Sequence, residues 1–70
     1  MKKIQLDRLK KLATICGKND RRLSDGQASE SRRSLDTRAD MRTVLVHFQG
    51  MDSVDFNRIW FAAYEIGLTS

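Results

Sequence analysis

Three of the chain's four glycines, Gly17, Gly50 and Gly67, each stand directly after an apolar-periodic run, and the sequence contains no proline. Glycine enters the left-handed conformation that closes a helix C-terminus without a Cβ clash, so this spacing reads as three helix ends. Apolar Met51 and Leu68 follow two of these glycines, as a Schellman-type closure prefers. The pattern predicts an all-α, small three-helix protein. Its helices are expected over about residues 3–16, 30–49 and 53–66, with nothing regular across 18–23 and a polar loop over about 18–29. The last two helices would form a C-terminal helical hairpin around the tight corner Gly50-Met51-Asp52.

Seventy residues with 40% apolar content can enclose one small core, so a single domain over residues 1–70 is expected. A core of this size rarely supplies more than about 3–5 kcal/mol, and no disulfide framework or metal-ligand spacing adds to it, so self-association into a homodimer is the natural remedy. In the first helix Leu6, Leu9, Leu12, Ala13 and Cys16 fall on one side and Lys3, Asp7, Lys10, Lys11 and Thr14 on the other. Ile4 and Ile15 widen the apolar arc. Cys16 is thereby a small core residue, and one cysteine fits a reducing compartment. With no membrane-length apolar run and no signal-peptide core after Met1-Lys2-Lys3, the expectation is a cytoplasmic protein.

Charge is distributed unevenly. Residues 1–17 carry a net +4 and residues 43–70 a net −2, so attraction between the first and last helices, within a subunit or across a dimer, accounts for part of the asymmetry. The stretch between them alternates in sign. Arg21, Arg22, Arg32, Arg33, Arg38 and Arg42 are interleaved with Asp20, Asp25, Glu30, Asp36 and Asp40, and no aromatic residue sits among them to stack on a base. Ser24 and Gln27 have capping-box spacing and Ser34 offers a later helix start; the expected boundary lies between them.

Residues 43–49, Thr-Val-Leu-Val-His-Phe-Gln, pose the main ambiguity. Their β-branched content suits a strand, which gives the alternative fold, α+β with a strand at 43–49. The longer window favours a helix with two apolar faces. Met41, Val44, Leu45 and Phe48 lie on one, and Ala28, Leu35, Ala39 and Val46 on the other, one for the core and one for a second copy. The dimer-interface candidates are therefore Leu35, Ala39, Met41, Leu45, Val46 and Phe48. His47 falls outside both stripes and, alone, reads as a surface or capping residue rather than a ligand.

The last helix is expected to be capped by Asp52, with Asp55 near its positive end and Gly67-Leu68 closing it. Phe56, Ile59, Trp60, Ala63, Tyr64 and Ile66 form its broad apolar arc. Val54 and Phe61 fall on the opposite, charged side near Arg58 and Glu65, where an aromatic marks a contact surface. Residues 61–70 resemble the first helix and turn of a helix-turn-helix, with small residue, turn glycine, apolar residue and Ser/Thr cap in order. That resemblance ends where a recognition helix would begin.

Catalysis finds no support, because there is no phosphate loop, no Cys/His ligand spacing, and no base assigned to Cys16 or the serines. Neither cofactor nor metal is expected. The favoured function is a small non-catalytic regulator that binds and inhibits a larger protein through an amphipathic helical face, in the size class of bacteriophage and mobile-element accessory proteins. Its partner-binding candidates are Val54, Arg58, Phe61 and Tyr64, since aromatic residues dominate interface energetics. The alternative is a dimeric DNA-binding regulator or nucleoid-associated protein, with Lys10, Lys11, Arg21, Arg22, Arg32 and Arg33 on phosphates, as the pI near 9.7 suggests.

Overall fold

A computed structural model describes residues 3–23 and 30–70. Helix α1 spans Lys3–Leu23, α2 spans Arg32–Arg42 and runs directly into a π-wound segment at Thr43–Phe48, and α3 spans Ser53–Thr69. The fold is all-α, with no strand among the described residues. The β-branched run at 43–49 is thus helical, as its longer-range periodicity indicated, but it is wound more widely than an α-helix. Gln49 N–H donates to the Val44 carbonyl at 3.0 Å, a five-residue span.

That wider turn corrects the expected faces of the middle helix. Leu45 is 1% exposed and belongs to the chain's own core, with Met41 and Val46 packed against it, whereas Val44 and Phe48 are exposed. A 3.6-residue period placed Val44, Leu45 and Phe48 on one arc; changing the winding at Thr43 rotates the residues beyond it out of that register.

Two glycines do not end helices. Helix α1 continues six residues past Gly17, and α3 runs through Gly67 to Thr69, so no helix-turn-helix corner forms there and residues 18–23 are regular. Gly17 and Gly67 face each other where α1 and α3 meet. A Cβ on Gly17 would sit 2.1 Å from the Tyr64 carbonyl oxygen, and one on Gly67 would sit 2.1 Å from the Thr14 carbonyl oxygen. Close backbone approach is the reason for glycine at both. Gly50, with φ +78°, is the glycine that closes a helix, and Met51 N–H reaches back to the Leu45 carbonyl at 2.8 Å, one residue further than the expected Schellman closure because the preceding turn is π-wound.

Asp52 caps α3, accepting from Val54 N–H at 2.8 Å and Asp55 N–H at 3.4 Å. Ser31 caps α2 by accepting from Ser34 N–H at 3.2 Å, so the second helix starts close to its expected position. Ser24, Gln27 and Ala28 lie outside the described residues.

Helices α1 and α3 run in the same direction, since Leu6 and Ile59 share a groove at one end and Gly17 meets Gly67 towards the other. Helix α2 and its π turn supply the return. Between α1 and α3 lies the core of Leu9, Ala13, Cys16, Phe56, Trp60, Ala63 and Tyr64, with Leu45 joining from the π turn. Phe56 and Trp60 stack with centroids 6.3 Å apart and planes 19° from parallel. Leu6, Leu12 and Ile59 are half-buried at its margins, while Ile15 and Ile66 are exposed. No helix of the described residues is long and apolar enough to cross a membrane.

Candidate protein-contact face

Phe61 is 40% exposed, and two side chains meet its ring. The Arg38 guanidinium of α2 lies 5.2 Å from its ring centroid, within cation–π range. Arg38 is fixed in turn by a two-pronged ion pair, Nε to Glu30 Oε2 at 2.9 Å and Nη2 to Glu30 Oε1 at 3.1 Å. The Phe61 ring also meets Tyr64 edge to face, with centroids 6.5 Å apart. Val54, Arg58 and Phe61 recur at i, i+4 and i+7 and are all exposed, which makes one strip along the outer side of α3.

Behind Phe61, Tyr64 turns inward. It is 5% exposed, and its hydroxyl donates to Asp20 Oδ2 deep between α1 and α2. Asp20 Oδ2 also accepts the Ser31 N–H at 3.1 Å, so one carboxylate ties the end of α1, the start of α2 and the body of α3 together. Burial by itself would raise the Asp20 pKa, but hydrogen bonds from Ser31, Tyr64 and Ser34 outweigh it and hold the carboxyl below its ordinary value. Burial and the adjoining Asp20 carboxylate push the Tyr64 hydroxyl the other way, well above its ordinary value. The pair therefore rests as carboxylate and neutral phenol across a broad pH range.

The structure brings Val54, Arg58 and Phe61 to one exposed strip and takes Tyr64 away from it, into the core. Tyr64 is corrected from surface contact to internal anchor because its hydroxyl has a buried acceptor. Of the dimer-interface candidates, Leu35 and Ala39 are exposed on α2 and Phe48 is exposed on the π turn, while Leu45 is removed from the surface and Met41 and Val46 are partly covered. Among the basic candidates Lys10, Lys11, Arg21, Arg32 and Arg33 are exposed; the Arg22 side chain lies outside the described residues.

Asp20, Ser31 and Ser34 were missed as a unit. A signal exists for Asp20, which continues the buried series Leu9, Ala13, Cys16 at i+4, and becomes visible once the helix is carried past Gly17. No protein-family profile, curated protein or solved structure matches the chain.

Proposed function

We propose that this chain is a non-catalytic regulator that binds a larger protein through the outer strip of α3, with Phe61 as anchor and Val54 and Arg58 beside it, and inhibits that protein by occluding its working surface. The observation that supports this reading is the restrained exposure of Phe61. An aromatic ring that already contacts Arg38 and Tyr64 has less rotamer freedom to lose on binding, which is the property of an interface hot spot. A freely rotating surface phenylalanine would surrender part of its burial energy to ordering.

The test is quantitative capture of a partner from cell lysate on immobilised wild-type and Phe61→Ala protein, with and without nuclease, followed by affinity measurement on the captured protein. Phe61→Ala is expected to weaken the complex by about 2 kcal/mol or more while leaving the fold intact. Trp60→Ala, in contrast, should cost about 3–5 kcal/mol of stability through cavity formation. Material that disappears on nuclease treatment and binds Phe61→Ala as well as wild type would overturn the reading in favour of nucleic acid.

A further inference from the structure

A second surface, sharing no residue with the Phe61 strip, opens between α1 and α2. Leu12, Ile15 and Cys16, with Asn19 at one end, form its α1 wall, and Arg32, Arg33 and Thr37 stand on its α2 side with two serines; the trough has a volume of about 530 Å³. Ile15 is 43% exposed there although it belongs to the apolar arc of its helix. It is also ringed by cations. Lys11 and Lys18 flank Ile15 at one helical turn on either side, and Arg8 stands one turn before Leu12 on the same stripe. All five basic residues, Arg8, Lys11, Lys18, Arg32 and Arg33, are exposed, and none of them forms an ion pair among the described residues.

The expected attraction between α1 and the acidic end of the chain takes none of these cations into an ion pair among the described residues. Helices α1 and α3 meet through apolar side chains and glycines, and the described residues hold no ion pair between them. Apolar side chains bordered by cations that form no ion pair among the described residues have a specific complement, an apolar strip bordered by acids. A bare phosphate backbone satisfies only the rim, and no aromatic residue lines the trough to stack a base.

We propose that the α1/α2 trough binds an acidic amphipathic helix of a partner protein. Its aliphatic side chains would cover Leu12 and Ile15, and its Asp and Glu residues would face Arg32 and Arg33 on one side and Lys11 and Lys18 on the other. Helix-in-groove recognition provides the geometry, with anchors at i, i+3 or i+4 and i+7, and the charged rim sets orientation and on-rate.

The probe is a synthetic 18-residue helical peptide with leucines at i, i+4 and i+7 flanked by glutamates, fluorescently labelled and titrated with the full chain. Controls are a peptide of identical composition with its leucines shuffled, and a 20-base-pair duplex DNA of arbitrary sequence. Binding of the amphipathic peptide is expected to weaken at least tenfold on shuffling, at least tenfold in Arg32→Glu/Arg33→Glu, and at least tenfold in Ile15→Ser. All three changed side chains are exposed, and circular dichroism of each variant is expected to match wild type. Phe61→Ala is expected to leave peptide binding unchanged, so failure here and failure of the Phe61 reading are separable. Equal affinity for the shuffled peptide, tighter binding of the DNA at the same salt concentration, or no peptide binding at millimolar protein would each overturn the proposal.

Discussion

The α1–α3 seam and the α2 arm are held by opposite means. In the seam, backbone approaches backbone at Gly17 and Gly67, and large side chains such as Leu9, Phe56 and Trp60 are removed from water. Helix α2 fully buries only Ser34 of its own eleven residues, and its attachment depends on Asp20, Ser31 and Tyr64, with Met41 half-buried against the core and Leu45 following it. A chain too short for two apolar layers around a third helix has built one apolar joint and then fixed the remaining helix with a buried carboxylate. The seam is consequently sensitive to shape and the arm to charge and hydrogen bonding.

The largest effect is expected where that shape requirement is strictest. Gly17→Ala and Gly67→Ala each place a methyl group against a backbone carbonyl that cannot rotate away, and each should destabilise by about 3 kcal/mol or more, read as loss of cooperative thermal unfolding. Gly50→Ala meets nothing within 4 Å and should cost only the left-handed backbone strain, about 1–2 kcal/mol. Equal, modest losses at all three positions would break the comparison, because they would mean that helix closure rather than close packing is the common role.

Next in size is the arm. Tyr64→Phe leaves a buried carboxylate with one donor fewer and should cost about 1.5–3 kcal/mol. Amide hydrogen exchange locates the loss. Residues 32–42 should exchange faster, while the amides of Leu9–Cys16 and Phe56–Ala63 keep most of their protection. Uniform loss along the chain would show that seam and arm form one cooperative unit.

Titration sharpens the same contrast. Asp20 has its pKa lowered in the folded state, so its contribution is present above the ordinary carboxylate value of 3.8 and is lost as pH falls through the folded value. Tyr64 has its pKa raised, so its contribution is present below its ordinary value of 10.0 and is lost as pH rises through the folded value. Thermal stability should therefore hold a plateau between these limits. Asp20→Asn should flatten the acid limb and Tyr64→Phe the alkaline limb, each at reduced overall stability; unchanged limbs would place the titrating groups elsewhere.

The two regions also differ in how far the sequence discloses them. The apolar core of the seam was legible, because Leu9, Ala13, Cys16, Phe56, Trp60 and Ala63 obey a 3.6-residue period that needs no partner to be recognised. The roles of Gly17 and Gly67 were not, since glycine marks both helix ends and close contacts, and only the facing backbone distinguishes them. Phe61 was legible as an exception to its helix's polar face, but its companions Arg38 and Glu30 come from another element, and spacing along one helix carries no record of them. Leu45 and Phe48, expected on one arc, are separated into core and surface because a π turn alters the period within the very segment being read.

The smallest predicted effect concerns the place where arm and seam touch at the surface. Phe61 contributes a half-covered ring and one cation–π contact, so Phe61→Ala should lower stability by less than about 1 kcal/mol, and its coupling to Arg38→Ala in a double-mutant cycle should be about 0.5–1 kcal/mol. A coupling in that range means that the arm orients the ring without depending on it, which is what a pre-set contact residue requires. A stability loss of 3 kcal/mol or more would instead assign Phe61 to the packing that holds α2 to α3. The outer strip of α3 would then be a structural joint, and the partner surface would have to be sought on the exposed residues of α2 or at the α1/α2 trough.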